Sequence, residues 1–277
     1  MDDELTMSRF RRYLKAKRTV DDRALNHRIW ARLRDELGKL EARTLEVADV
    51  GAGIGVGAER MLDWRLFEGF RHSRYCAVDV SQELLDEASK RLMGKEIELE
   101  TVVSDLQTFA SREENHGRFD LVVAHALLDI LELAPSLRSL LRVTRPGGLL
   151  HLPIAFDGES FFEPPDPADQ IILGHYCDTM EEKGDSRTGR RLFHALSEIE
   201  AEILEVGSSD WVVVPKDGTY PDDEAFFLCF IVDTVEGAVQ ERHEDVHRWA
   251  SLRRRQVEQG ELVYIAHQLD YLAKKRD

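Results

Sequence analysis

A chain of 277 residues, 43% hydrophobic and 32% charged, is long enough to bury the core of one large α/β domain. Its formal net charge of -16 opposes binding to nucleic acid or to an anionic membrane, so we expect a small-molecule substrate and neither of those partners. Three widely spaced cysteines, and the lack of a long apolar run or signal core, predict a soluble, cytoplasmic protein without a disulfide framework or zinc site.

A basic segment precedes the first predicted strand. The stretch RFRRYLKAKR, Arg9 to Arg18, holds six basic residues in ten. Apolar residues then follow at helical spacing, at Ile29, Leu33 and Leu37. We therefore predict a helical N-terminal arm over residues 1–43, packed over the edge or mouth of a sheet in the unit formed by residues 44–277.

Short β-rich runs alternate with helical patterns from Leu45 onward, which is typical of a parallel sheet built from βαβ units. The predicted strands are, in order, LEVADV, YCAVDV, IELETVVSDL, FDLVVAHAL and GLLHLPIAF. One helix, marked by Leu84 and Leu92, connects strands two and three, and another, from Pro135 to Val143, connects strands four and five.

Two segments interrupt this alternation. Residues 157–186 are rich in Pro, Asp and aromatic side chains without a clean period, and we predict an inserted lid. Residues 216–259 predict a second, mainly helical insertion. Between them we expect a helix from Leu192 through Ile203 and a strand around ILEV or WVVV, and the run ELVYIAHQLDYL predicts a closing strand.

The motif VADVGAGIG ends the first predicted strand with an acid and alternating glycines. Asp49, Gly51, Gly53 and Gly55 predict a bare, amide-lined bend at a helix N-terminus, which is a nucleotide-binding feature. The dinucleotide fingerprint is half satisfied when it is read from Gly53 through Gly55 to Ala58. A Rossmann-fold oxidoreductase that uses NAD(P) therefore remains an alternative.

Two further acids end the next strands. Asp79 ends strand two, where a carboxylate accepts hydrogen bonds from ribose hydroxyls, and Asp105 ends strand three near the place of an adenine amino group. Asp49 would repel a pyrophosphate and attract a cationic sulfonium. This acidic rim favours a phosphate-free, positively charged nucleoside, although any one of the three aspartates has the alternative role of capping the next helix.

The motifs VADVGAGIG, AVDVS, VVSDLQ, FDLVVAHALL and RPGGLLHL, in this order over about residues 45–156, resemble those of class I S-adenosylmethionine-dependent methyltransferases. The resemblance implies a Rossmann-like α/β fold, with a seven-stranded, mostly parallel sheet, a reversed last strand and helices on both faces. It implies methyl transfer from S-adenosyl-L-methionine to a small-molecule acceptor, with S-adenosyl-L-homocysteine as product. We expect a monomer or homodimer, and a non-catalytic protein that binds S-adenosylmethionine is a further alternative.

The resemblance also implies roles for single residues. Asp49 and the glycines hold the methionine part of the cofactor, Asp79 holds the ribose, and Asp105 with Leu106 meets the adenine. The predicted cofactor-binding residues are Asp49, Gly51, Ala52, Gly53, Gly55, Asp79, Val80, Asp105, Leu106, His125, Arg18 and Arg23.

The basic arm has two interpretations. Tyr13, Arg18, Arg23 or Asn26 folds over the cofactor, with an arginine clamping the methionine carboxylate. Alternatively, the arm is a solvated helix whose charges pair with the acidic body.

His125 follows strand four, and Asp129 lies four residues later, where it would orient the ring from the next turn of a helix. We predict His125, and after it His175, as the base for an acceptor that must lose a proton. A structural role for His125 is equally consistent with the sequence. The predicted substrate contacts are Tyr13, Asp129, Glu159, Phe161, Tyr176 and Arg187. The pattern HEDVH lacks the zinc-protease order and a third ligand, so no metal is predicted.

Overall fold

A computed structural model describes residues 2–40, 43–182 and 184–276. The α-helices within these ranges are α1 (Asp2–Ala24), α2 (His27–Gly38), α3 (Val56–Asp63), α4 (Gln82–Leu92), α5 (Leu106–Ser111), α6 (Leu133–Val143), α7 (Asp169–Glu181), α8 (Thr188–Ser197), α9 (Glu224–Val239) and α10 (Val246–Glu258). The strands are β1 (Thr44–Val50), β2 (His72–Asp79), β3 (Glu98–Val103), β4 (Phe119–Val123), β5 (Thr144–Glu163), β6 (Ala201–Ser208), β7 (Trp211–Val213) and β8 (Val263–Lys275).

The strands described here form one sheet, in the order β3-β2-β1-β4-β5-β8-β6, with the short β7 paired to β8. Neighbouring strands from β3 to β5 are parallel, whereas β8 runs antiparallel to β5 and β6. The predicted α/β class, the mostly parallel seven-stranded sheet and its reversed last strand are confirmed. β7 is an additional strand, because both ILEV and WVVV pair with β8.

Helices cover both faces of the sheet, as predicted. Successive side chains of a strand point to opposite faces, and β1 shows this clearly. Leu45 and Val47 join one buried core, together with Leu33 of α2. Ala48 joins the other core, together with Leu140 of α6. Burial on both sides explains why the central strands are almost continuously apolar.

The predicted helical arm consists of α1 and α2. The Asn26 side chain accepts hydrogen bonds from the backbone of Arg28 and Ile29 and so caps α2. The Asn26 backbone N–H donates to Asp270 Oδ2 at 2.8 Å, which fixes the junction of the two helices to β8. Asn26 is therefore a cap and does not fold over the cavity described below. The predicted boundary at residue 43 adjoins residues 41 and 42, which lie outside the described ranges.

The first seven residues of the predicted lid, 157–163, belong to a strand. β5 continues to Glu163 and pairs with β8, from Ser160 opposite Ala266 to Glu163 opposite Val263. Register shifts near Phe156 interrupt the alternation of side chains, and this irregularity concealed the strand in the sequence. The remaining covering element is α7, and residue 183 of the predicted lid lies outside the described ranges.

The second predicted insertion is mainly helical, as expected, and contains α9 and α10. The helix predicted through Ile203 is shorter in the structure, because α8 ends at Ser197 and Ile203 belongs to β6. Of the helices in the described ranges, none is both long and apolar enough to cross a membrane. The same ranges contain no group of three or more His, Cys, Asp or Glu residues arranged to hold a metal ion.

Candidate active site

The carboxyl ends of β1, β2, β3 and β4 open into a cavity of about 690 Å³ that is covered by α1, α7 and α9. Cavities of this size are usual for small-molecule sites. The strand order reverses at β1 and β4, and ligands of open α/β sheets bind at such a reversal. One end of the cavity is lined by the glycine turn after β1, and the other end by aromatic side chains of α1, α7, α9 and β8.

The glycine turn is held to β2 by its backbone. The N–H groups of Gly51 and Ala52 donate to the carbonyl oxygen of Val78 at 2.8 and 3.0 Å. Gly51, Gly53 and Gly55 have φ angles of +76°, +55° and +80°, which other residues adopt only with strain. The turn therefore presents bare backbone to the cavity, as the sequence predicts.

Asp49 lies beneath this turn and is 3% exposed. Its Oδ2 accepts a hydrogen bond from the Tyr75 hydroxyl at 2.5 Å, while its Oδ1 is buried without a hydrogen-bond partner among the described residues. Burial raises the pKa of the Asp49 carboxyl to about 7. A Cβ atom on Gly57 would lie 2.8 Å from Asp49 Oδ2, so Gly57 leaves the carboxylate its space. Asp49 lines the cavity, and a carboxylate with an unpartnered oxygen fits a ligand ammonium group.

Asp79 ties the end of β2 to the same turn. Its Oδ2 accepts a hydrogen bond from the Gly53 N–H at 2.9 Å, and its Oδ1 accepts one from the Ser81 N–H at 2.9 Å. Each carboxylate oxygen retains a further acceptor site, because it carries two lone pairs. Beside it Val80 is 70% exposed at the cavity surface, which is the placement predicted for a contact with a bound nucleoside.

Asp105 caps α5, which is the alternative role that the sequence left open. Its two carboxylate oxygens accept hydrogen bonds from the backbone N–H and the hydroxyl of Thr108, at 2.9 and 2.8 Å. These two hydrogen bonds lower the pKa of Asp105. Asp105 and the buried Leu106 also line the cavity, so the cap holds the carboxylate at the predicted place.

The two arm arginines predicted to hold the cofactor do not line the cavity in the described structure. Arg18 bonds to Glu59 at 3.0 Å and to Asp63 at 2.5 Å, and Arg23 bonds to Glu224 at 2.6 Å. Arg18 and Arg23 therefore follow the alternative interpretation, in which the charges of the arm pair with acidic residues of the body.

His125 lies at the cavity and is paired with the arm. Its Nε2 is 2.9 Å from Asp21 Oδ2. The same oxygen accepts a hydrogen bond from Lys17 Nζ at 2.6 Å, and Asp21 Oδ1 accepts one from Trp211 Nε1 at 2.9 Å. The predicted orienting partner, Asp129, is wrong. Residues 128–130 form a single 3₁₀ turn, so no α-helix brings position 129 back over the ring of His125.

The charges of this cluster keep the ring neutral. Burial, together with the charge of Lys17, lowers the pKa of His125 to about 4. Burial opposes ionisation of Asp21 as well, but Lys17 and His125 hold its pKa below the usual range. A neutral ring 2.9 Å from an ionised carboxylate donates its Nε2 hydrogen to it. We assign the lone pair to Nδ1 on this argument.

The far end of the cavity is aromatic and contains two buried acceptors without donors. Tyr13, Tyr176 and Tyr264 line it. Asp129 Oδ1 and Gln268 Oε1 are buried there, and neither has a hydrogen-bond partner among the described residues. Burial raises the pKa of Asp129 to about 6. This end accepts a ligand that donates hydrogen bonds and presents an apolar surface.

The structure brings part of the predicted substrate set to the cavity. Tyr13, Asp129 and Tyr176 line it. Among the described lining residues, Glu159, Phe161, Arg187 and His175 are absent. Side chains alternate along β5, so Ser160 faces the cavity and its two neighbours face away. On α7, Tyr176 faces the cavity and the preceding residue, His175, points elsewhere.

Sequence reasoning missed several residues that line the cavity: Lys17, Asp21, Arg60, Trp211 and Tyr264. Lys17 and Asp21 share a buried helical stripe with Ala16 and Val20. Charged residues within an apolar stripe were the signal available in the sequence. Arg60, which is 2% exposed, carries an Nη2 atom without a hydrogen-bond partner in the described ranges.

Comparisons with known proteins give a family and a fold. The sequence model of the family described as "Methyltransferase domain" matches residues 47–148. Nodulation protein S of Rhizobium tropici is 38% identical over 106 residues, which are 37% of this chain and 40% of that protein. The chain thus matches less than half the length of this curated relative.

Solved structures share the fold at low sequence identity. A candidate methyltransferase from Bacillus halodurans C-125 has a TM-score of 0.55 at 17% identity, over 88% of this chain and 99% of that one. A cyclopropane synthase of Mycobacterium tuberculosis has a TM-score of 0.51 at 13% identity, over 88% of this chain and 83% of that one.

The family match includes the elements that form the nucleotide end of the cavity, from the glycine turn through Asp79 and Asp105 to His125. The similarity to the solved structures extends over 88% of this chain and shows a shared fold. Residues 47–148 therefore match the family described as "Methyltransferase domain", and the chain as a whole shares the fold of a solved candidate methyltransferase.

Proposed function

We propose that this protein transfers a methyl group from S-adenosyl-L-methionine to a small-molecule acceptor and releases S-adenosyl-L-homocysteine. The observation that carries the proposal is the carboxylate of Asp49, whose buried Oδ1 has no partner among the described residues and lines the cavity at the glycine turn. An ammonium group beside that oxygen would satisfy it. The methionine end of the cofactor has such a group.

The residues at this end of the cavity fit the cofactor part by part. Asp49 and the glycine turn would hold the amino group, and the unpartnered Nη2 of Arg60 would donate to the methionine carboxylate. Asp79 would accept from the ribose hydroxyls. Asp105, Leu106 and Val80 would hold the adenine. Arg60 thus replaces Arg18 and Arg23 as the arginine of the site.

The bound sulfonium supplies a methyl carbon that is already activated, so the protein aligns the acceptor and excludes water. His125 would take a proton at Nδ1 from an acceptor that has to lose one. Asp21 orients the ring through Nε2 and favours the protonated form. α1 carries Asp21, so the arm contributes directly to the site.

The proposal also covers the division of the chain, the oligomeric state, the partners and the location of the protein. We propose an arm over residues 1–43, a methyltransferase body over residues 44–277, and a monomer or homodimer. The net charge of -16 supports a small molecule as acceptor and argues against nucleic acid. The free cysteines Cys76, Cys177 and Cys229 support a cytoplasmic location.

Replacing Asp79 with alanine should weaken the binding of S-adenosylhomocysteine. The change removes the ribose acceptor and also the carboxylate that holds the N–H of Gly53. Hydrogen bonds to charged groups contribute about 1.5–3 kcal/mol each, so we expect a loss of at least that size. Isothermal titration calorimetry measures it, and an unchanged dissociation constant would show that the assignment of Asp79 is wrong.

Binding of S-adenosylhomocysteine should tighten as the pH rises through 7. Burial raises the pKa of Asp49 to about 7, so the carboxyl of the free protein is protonated below that pH. A ligand ammonium group favours the ionised carboxylate and therefore lowers this pKa, which expels a proton on binding. Affinity is then highest above pH 7 and falls as the pH is lowered.

Calorimetry in two buffers with different heats of ionisation counts the released proton. The matched variant Asp49→Asn should bind weakly and release none. A wild-type affinity that does not change between about pH 5.5 and about pH 7.5 would contradict the role given to Asp49.

The activity itself is tested by incubating the protein with S-adenosylmethionine and a broad panel of small acceptors, and measuring S-adenosylhomocysteine by mass spectrometry. We expect release that depends on one class of acceptor. Tight binding of S-adenosylhomocysteine without release across the panel would favour the non-catalytic alternative.

A further inference from the structure

The cavity carries an excess of negative charge. Its described lining contains five carboxylates, those of Asp21, Asp49, Asp79, Asp105 and Asp129, and two permanently cationic groups, those of Lys17 and Arg60. Lys17 is bonded to Asp21, and Arg60 to Asp22, which lies outside the lining. The cofactor brings one net positive charge. Negative charge therefore remains, and it favours a second cationic ligand.

Asp129 is the carboxylate that the cofactor end does not use. It lines the cavity with the tyrosines of α1 and α7, and its Oδ1 is buried with no partner in the described ranges. Burial raises the pKa of Asp129 to about 6, although the charge of Lys17 acts in the opposite direction. A buried acceptor without a donor costs free energy, which a ligand N–H group would recover.

Gln268 provides a second unpaired group in the same cavity. It is 2% exposed, and its side-chain Oε1 has no hydrogen-bond partner among the described residues. If the side-chain amide of Gln268 were turned over, the nitrogen would take the place of the oxygen, so the unpaired atom is polar in either orientation. A ligand that satisfies both Asp129 and Gln268 therefore carries more than one hydrogen atom bound to nitrogen or oxygen.

Aromatic rings surround these two groups. Tyr13 stacks on Phe230 with 4.1 Å between ring centroids, and both rings line the cavity together with Tyr176 and Tyr264. Aromatic faces attract cations, and Lys17 Nζ already lies 5.2 Å from the ring of Trp211 in this cavity. The rest of this end is apolar, with Phe10, Phe156 and Met180, so a carbon frame is accommodated as well.

We propose that the methyl acceptor is an amine on an apolar carbon frame, and that its ammonium group is recognised by Asp129 and Gln268 against the tyrosine rings. This inference rests on the proposed function and names the acceptor class of the same site. The bound ammonium group first gives one proton to His125 Nδ1, which frees the nitrogen lone pair. The lone pair then forms the nitrogen–carbon bond, and the donor's carbon–sulfur bond breaks with its electron pair left on sulfur.

An alcohol of the same frame is the competing acceptor. A hydroxyl donates one hydrogen bond and carries no charge, so it satisfies one of the two acceptors and leaves the negative charge uncompensated. Amine and alcohol are similar in size. The difference in their affinity therefore isolates the recognition of charge and of hydrogen-bond donors.

The test uses the full chain saturated with S-adenosylhomocysteine, titrated with phenethylamine, phenethyl alcohol, hexylamine and hexanol in a calorimeter. Each amine should bind at least about tenfold more tightly than its alcohol. Asp129→Asn should remove most of that preference without changing the affinity for S-adenosylhomocysteine. The matched control, Asp178→Asn, removes a carboxylate from the outer face of α7, 67% exposed, and should keep the preference.

The outcomes separate this inference from the proposed function. If the wild-type protein binds S-adenosylhomocysteine but prefers no amine, or binds none of the four probes, the amine assignment is overturned. Retention of the preference in Asp129→Asn overturns the role of Asp129. Failure of the wild-type protein to bind S-adenosylhomocysteine overturns the proposed function instead. The comparison of probes on the wild-type protein does not depend on the folding of any variant.

Discussion

Replacing Asp21 with asparagine is expected to destabilise the protein by about 3–5 kcal/mol, because it removes the charge that compensates buried Lys17. Asp21 is 3% exposed and Lys17 is 7% exposed, with 2.6 Å between Oδ2 and Nζ. The same carboxylate accepts from Trp211 and lies 2.9 Å from His125 Nε2. One substitution thus disturbs the buried ion pair within α1 and two contacts that α1 makes, to Trp211 of β7 and to His125 after β4. Urea denaturation measures the change in the free energy of unfolding.

The matched control is Asp63→Asn. Asp63 also binds a basic residue of α1, Arg18, but its side chain is 57% exposed. Exposed ion pairs contribute about 0–1 kcal/mol, so this variant should remain close to the wild type. Equal effects of the two substitutions would show that burial of the Lys17–Asp21 pair does not stabilise the fold.

Asp21 is also a positioning residue, which gives a readout that stability alone does not affect. Its charge raises the pKa of His125, against burial and Lys17, which lower it. In Asp21→Asn the ring should therefore titrate at a still lower pH. The acidic limb of the profile of kcat/KM against pH should move to lower pH, whereas in Asp63→Asn it should stay in place. An unshifted limb would contradict the coupling.

Replacing His125 with alanine should lower turnover by about 10²–10⁴-fold while the affinity for S-adenosylhomocysteine stays the same. The side chain lines the cavity after β4, and no other imidazole is among the described lining residues. Its Nε2 is engaged by Asp21, which leaves Nδ1 to accept a proton from the acceptor. Steady-state kinetics and calorimetry on the same preparation separate turnover from cofactor binding.

The control for this prediction is His194→Ala, an exposed imidazole on α8 outside the described lining. It should leave turnover unchanged. Normal turnover in His125→Ala would return His125 to the structural role that the sequence also allowed. A loss of cofactor affinity in that variant would instead place the ring at the cofactor, as the resemblance implied.

The nucleotide end of the site was predictable because its signals are local. Asp49 and Asp79 lie at the carboxyl ends of β1 and β2, and the glycines and Asp105 follow β1 and β3 within a few residues. Parallel strands bring their carboxyl ends to one edge. Spacing along the chain was therefore enough to place them together. The cap of α5 by Asp105 was also foreseen, because a strand-end aspartate before a helix has that role so often.

The acceptor end was less predictable because its contacts are distant in sequence. His125 pairs with Asp21 across 104 positions, and Trp211 pairs with Asp21 across 190. Local reasoning offered Asp129, on the assumption of a helix that the chain does not form there. The alternation along β5 was hidden by its register shifts. Glu159 and Phe161 were therefore predicted as lid residues that contact the substrate, and neither is among the described lining residues.

The cofactor claim is tested most directly by titrating the wild-type protein with S-adenosylhomocysteine and, in parallel, with NAD in a calorimeter. The glycine turn, the unpartnered Asp49 Oδ1 and the unpartnered Arg60 Nη2 predict saturable binding of one S-adenosylhomocysteine per chain and no saturable binding of NAD. Tight binding of NAD with none of S-adenosylhomocysteine would contradict the account.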